Sequence, residues 1–122
     1  MSTGSFINII GIKCPPEAED KFDKWYDGKH IPDMLKSKEL RRVTRYRVTD
    51  AAGTSPSGIR GSESQYPRFV TIYEFKNRQA FEAWDRDPEL MPDREEANRV
   101  TKEVGGELLW RVQYEFMRTW EQ

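Results

Sequence analysis

The stretch RFVTIYEFKNRQAFEAWDRD, Arg68 to Asp87, decides how this chain folds, because its pattern changes in the middle. Arg68–Lys76 is β-branched and aromatic and reads as a strand. At Asn77 the pattern turns helical. Asn77 suits an N-cap, and Phe81 and Trp84 fall on one face of a helix over Asn77–Asp87. A strand that feeds straight into a helix raises the question of what stands on either side.

Upstream, ELRRVTRYRVTD (Glu39–Asp50) is rich in β-formers and reads as another strand. Between the two strands lies AAGTSPSGIRGSESQYP, about residues 51–67, full of Gly, Ser and Pro and without periodicity. It is expected to be a long flexible loop or a lid. At the start, SFINIIGIK (Ser5–Lys13) reads as a buried strand, and the prolines of CPPEAEDKFDKWYDGKH end it. Glu17 opens an acidic first helical turn, and Ala18, Phe22, Trp25 and Tyr26 follow at helical spacing. Pro32 disfavours helical geometry at Ile31, so this helix is expected to end near His30.

Downstream, a further helix is expected from about Pro92 to Val104, closed by Gly105 and Gly106. ELLWRVQYEFMRTW (Glu107–Trp120) then alternates, with Leu108, Trp110, Val112, Tyr114, Phe116 and Trp120 on one face of a long last strand. The order is β-α-β-β-α-β with an extra helical segment before the last strand. That predicts one α+β domain over residues 1–122, ferredoxin-like, with four antiparallel strands and the helices on one face. The other face carries Ile7 and Ile9 and needs cover. A second copy, sheet against sheet, is the expected cover, so the chain is read as a homodimer.

Composition narrows the function. The 122 residues suit one domain, and four Trp, five Tyr and six Phe argue against disorder. The net charge of −1 gives no reason to expect a nucleic-acid partner. An RNA-recognition motif shares the element order, but YPRFVTIYEF lacks the glycines that its third strand carries. Cys14 is the only cysteine, which fits a reducing cytoplasm and excludes an internal disulfide and a Cys-based metal site. No run approaches a membrane span or a signal peptide, so a cytoplasmic protein is expected. There is no dinucleotide fingerprint, P-loop or serine elbow. The carboxylates of DRDPELMPDREE alternate with Arg and read as a solvated face, not a metal site.

The only histidine, His30, is the candidate for chemistry. Phe22, Tyr26 and His30 stand at i, i+4 and i+8, a stripe that faces the sheet, with Trp25 beside it. Burial and the charges around the helix end push the pKa of such a histidine in opposite directions, and Asp27 and Asp33 stand near enough to orient the ring. A histidine so placed suits proton transfer. The strands add Arg45, Tyr46, Tyr73 and Trp110. Strand alternation puts Arg45 and Tyr46 on opposite faces, so one of them points toward the helix, where it would bind or polarise an oxygen.

The residues FDKWYDGKHIPDML, LRRVTRYRV and PRFVTIYEF resemble the EthD-like branch of the dimeric α+β barrel superfamily. The W-Y followed by H-x-P is the most specific part, and the likeness runs from about Phe6 to Tyr114. It implies a homodimer whose sheets close into a barrel, with a pocket in each subunit between sheet and helices. Relatives of this kind include cofactor-free isomerases, cyclases, dehydratases and lyases, and His30 matches a usual acid/base residue.

The expectation is therefore a cofactor-independent enzyme doing proton transfer on a small apolar or aromatic carbonyl compound or lactone. His30 would be the general acid/base, with Tyr26, Arg45, Tyr46 and Tyr73 at the oxygens. Phe22, Trp84 and Trp110 would line the pocket. The alternatives are a cofactor-free or haem-dependent monooxygenase and a non-catalytic binder of small ligands.

Overall fold

In the computed structural model, residues 5–49 and 67–122 are described. The loop expected at about 51–67 lies outside the described residues, apart from Pro67. Among the described residues four strands form one antiparallel sheet: β1 (Phe6–Lys13), β2 (Leu40–Arg47), β3 (Phe69–Phe75) and β4 (Glu107–Glu115), in the spatial order β2-β3-β1-β4. This is the ferredoxin-like arrangement. Its helical segments are α1 (Glu19–Trp25), α2 (Ile31–Met34), α3 (Arg78–Asp85) and α4 (Met91–Glu103).

The first helix does not end at His30. A single π turn, Tyr26–His30, joins α1 to α2, and the Ile31 N–H bonds the Tyr26 carbonyl five residues back. Pro32 explains the turn. A helical proline lacks a donor and its ring crowds the carbonyl four residues earlier. Widening the helix by one residue just before Pro32 relieves both problems, so the proline distorts the helix and does not stop it.

Other boundaries follow the residues closely. The Asn77 side chain accepts from the Ala80 N–H at 2.9 Å and caps α3. Gly105 has φ of 76° and closes α4 in a conformation that favours glycine. The last strand is shorter than expected and ends at Glu115; the Phe116 N–H still bonds the Ser5 carbonyl at 3.0 Å.

Alternation sorts the sheet into two faces. Phe6, Asn8, Ile10 and Ile12 of β1, and Phe69, Thr71, Tyr73 and Phe75 of β3, point to the helices. Phe6, Phe75, Phe81, Trp84 and Leu90 form one core cluster, and Ile12, Phe22, Tyr26 and Phe69 another. In β4 the register slips opposite Gly11 and Ile12, so Leu108 pairs with Ile12 while Trp110 pairs with Gly11. That irregularity corrects the single-face reading of β4: Leu108 lies on the helix side and Trp110 on the outer side. A Cβ on Gly11 would meet the Trp110 ring at 2.8 Å, so glycine is required for this close approach. The buried thiol of Cys14 is free, and burial pushes its pKa up.

Candidate active site

A cleft of about 610 Å³ opens on the helix side of the sheet, between the π turn, α3, α4 and β4. That volume suits a small-molecule ligand. Its floor is apolar and aromatic: Ile10, Ile12, Trp25, Tyr26, Tyr73 and Trp84. His30 stands in the same wall.

The π turn sets the position of His30. It keeps Tyr26 and His30 in contact, ring edge to ring face at 4.8 Å, and lays the imidazole on Trp25 at 5.3 Å with 19° between the planes. The imidazole Nε2 lies 3.4 Å from the Tyr73 hydroxyl. Tyr73 and Tyr26 share a bond of 3.1 Å, and Tyr26 donates to Thr71 Oγ1 at 3.0 Å. The result is a chain of buried polar groups, His30–Tyr73–Tyr26–Thr71, linking helix to sheet. Nδ1 of His30 is buried and has no partner among the described residues.

Burial wins the competition over the imidazole: it lowers the pKa of His30 to about 4, against the opposing pull of Asp33, Asp93 and Glu96. The ring is therefore neutral at neutral pH. Neither Asp27 nor Asp33 orients it. Asp27 accepts from Arg45 at 2.8 Å, and Asp33 is held by Lys29 and Lys36. Burial also pushes the Tyr26 hydroxyl up and the Tyr73 hydroxyl well up, so both remain protonated.

Of the residues expected at the site, His30, Tyr26, Tyr73 and Trp84 line the cleft together. Arg45 points to the helix side, which settles the choice between it and Tyr46. Arg45 does not reach the cleft: its guanidinium covers the far side of the Tyr26 ring, 4.4 Å from the centroid, and pairs with Asp23 and Asp27. It clamps α1 and the π turn onto β2. Tyr46 corrects the other half of that expectation, being 59% exposed on the opposite sheet face. Trp110 also lies on that face, where regular alternation puts it with Val112 and Tyr114. Phe22 is fully buried beneath Trp25 and Tyr26 and packs the core without lining the cleft.

Sequence reasoning missed the opposite wall. Arg94, Ala97, Asn98 and Thr101 of α4 line the cleft, as does Arg111 of β4. Their i, i+3, i+4, i+7 spacing was the available signal, a polar stripe in place of an apolar one. Arg94 donates to the carbonyls of Trp84 (2.6 Å) and Asp85 (3.0 Å), tying α4 to the end of α3. Its guanidinium also stacks over the Trp84 ring at 4.6 Å, and burial lowers its pKa. Trp84 Nε1 is buried without a partner among the described residues. Behind His30, the carboxylates of Asp33, Asp93 and Glu96 cluster, but Lys29 and Lys36 lie among them, in ion pairs of 2.5 to 3.6 Å. The cluster is an ion-pair network joining the π turn and α2 to α4.

The fold is that of EthD-like α+β proteins, a four-stranded antiparallel sheet with its helices on one face. The chain belongs to the family described as domain of unknown function DUF4286, whose model matches residues 5–96. Its fold is similar to that of HapK from Hahella chejuensis, with 12% identity, a TM-score of 0.64, and 96% of this chain and 97% of that one covered. It is also similar to an EthD family protein from Bacillus halodurans, with 20% identity, a TM-score of 0.59, and 92% and 99% covered. SnoaB, a cofactor-independent oxygenase from Streptomyces nogalater, is a third, with 14% identity, a TM-score of 0.52, and 96% and 93% covered. No curated protein matches the chain in sequence. Among the described residues no helix is long and apolar enough to cross a membrane.

Proposed function

We propose that this protein is a cofactor-independent enzyme doing acid/base chemistry on a small, largely apolar ring compound that carries a carbonyl or lactone group. Isomerisation, cyclisation, dehydration and lyase steps all begin by moving a proton next to such a group. One observation carries the reading: a neutral histidine, tied to two protonated tyrosines, stands in the wall of an aromatic cleft of ligand size. The rings of Trp25, Tyr26 and Trp84 would hold the apolar body, and His30 with Tyr73 would meet the oxygen. A purely ligand-binding role is less well supported, because the one hydrogen bond of the His30 ring among the described residues goes to a side chain and not to the backbone.

The test uses cyclic diketones, aryl ketones and lactones in deuterated water, with exchange at the carbon beside the carbonyl followed by NMR. The expected result is exchange by the native protein and a loss of about a hundredfold or more in His30→Gln, the scale of one acid/base group. Unchanged exchange in the variant would sink the assignment.

A second reading is oxygenation, favoured by the shared fold with a cofactor-independent oxygenase. Removal of a proton would be its first step too, with dioxygen as the oxidant of the resulting carbanion. An oxygen electrode separates the two, since isomerisation continues without dioxygen. A visible spectrum of protein made in haem-replete cells separates the haem-dependent form.

The outer sheet face supports the homodimer. Ile7, Ile9, Val70, Ile72 and Val112 are only half-buried there, and Tyr46 and Tyr114 are exposed. A second copy of the same face would cover them all.

A further inference from the structure

The hydroxyls behind His30 carry a direction that the proposed chemistry leaves unused. Tyr26 has one proton, and it goes to Thr71 Oγ1. In the bond between Tyr26 and Tyr73 the donor must then be Tyr73. Tyr73 also has one proton, and that bond consumes it. Its oxygen is left to accept from His30, so the proton of the neutral imidazole stands on Nε2. Nδ1 then carries the lone pair. Among the described residues that nitrogen is sealed from solvent and has no partner, while Nε2 is turned to Tyr73, itself a lining residue of the cleft.

We infer that His30 is held as its Nε2–H tautomer and meets the ligand as a hydrogen-bond donor, to a carbonyl or enolate oxygen. This rests on reading the cleft as the active site, and it gives His30 the electrophilic part of the reaction. The 3.4 Å contact to Tyr73 is long, so the N–H has room to be shared with a ligand oxygen. A neutral imidazole donor stabilises a developing oxyanion without first losing a proton of its own. The ligand class follows: ring compounds whose oxygen gains negative charge, as in an enolate or phenolate. Thr71 and Tyr26 become positioning residues. They set the tautomer through Tyr73, and Thr71 is 1% exposed and does not line the cleft.

A single histidine makes the test direct. In protein labelled with nitrogen-15 at histidine, NMR at neutral pH should show a protonated Nε2 and a bare Nδ1. Thr71→Val removes the acceptor of Tyr26. Tyr26 is then free to donate to Tyr73, and Tyr73 to Nε2, so the tautomer should reverse. Tyr26→Phe frees Tyr73 in the same way and should reverse it independently, which covers a failure of either variant to fold. A proton on Nδ1 in the native protein, or the native pattern retained in both folded variants, overturns the inference.

The ligand half is read with para-nitrophenol, whose anion absorbs in the visible. Binding as the anion with a shift of the Nε2 signal, weakened about tenfold in Thr71→Val, is expected for a hydrogen bond to a charged oxygen. Binding that leaves Nε2 unmoved, or none, overturns this half. The tautomer readout needs no substrate, so a wrong reaction class and a wrong role for His30 give different results.

Discussion

Keeping His30 neutral and buried makes the stability of the fold depend on pH. Its folded pKa is lowered from 6.5 to about 4, so the unfolded chain binds more protons between those values. Stability is therefore fully present above about pH 6.5 and falls as pH drops toward about 4. The loss from this one residue is on the order of 3 kcal/mol. Lys29, Asp33, Asp93 and Glu96 also face the ring, so the comparison must be with a variant. Urea unfolding across that window should show a shallower decline in His30→Gln than in the native chain. Equal slopes would mean that His30 does not carry the dependence. Phe22 makes a different case. It has no exposed surface, so Phe22→Ala should cost about 4 kcal/mol in the same assay. A cost under about 1 kcal/mol would contradict its place in the core.

Among the elements, Gly105 closes α4 with a positive φ, and a Cβ there would stand 3.2 Å from Pro15. Gly105→Ala should lower stability by about 1 kcal/mol, read from the urea midpoint. Such ends were legible in the residues, because a cap or a glycine acts within a turn of itself; Asn77 is the same kind of signal. The π turn was not legible. Pro32 announces a disturbance, but whether the helix stops or widens depends on packing of Tyr26 and Met34 against the sheet. The irregularity in β4 was hidden for a related reason. It is a mismatch of register between two strands, and the alternation of β4 alone contains no trace of it. The candidate site divides likewise. His30 and Tyr26 could be read from one helix stripe, whereas Arg94 and Asn98 join them only through the tertiary fold.

At the scale of the whole molecule, the outer sheet face carries the dimer proposal. Ile72 sits at its centre, paired with Ile9 on one side and Thr44 on the other. Ile72→Glu should convert a dimer into a folded monomer by light scattering after gel filtration, with the circular dichroism spectrum unchanged. A native chain that runs as a monomer would remove the proposal. The helix side is built unevenly. α4 walls the cleft, yet none of its residues is fully buried, and it is held through Arg94 and the ion pairs of Glu96 with Lys29 and Asp93 with Lys36. Surface ion pairs hold weakly and are screened by salt. Amide protons along α4 should thus exchange with deuterium before those of β1 and β3, sooner still in high salt, and more slowly once a ligand fills the space beneath the helix.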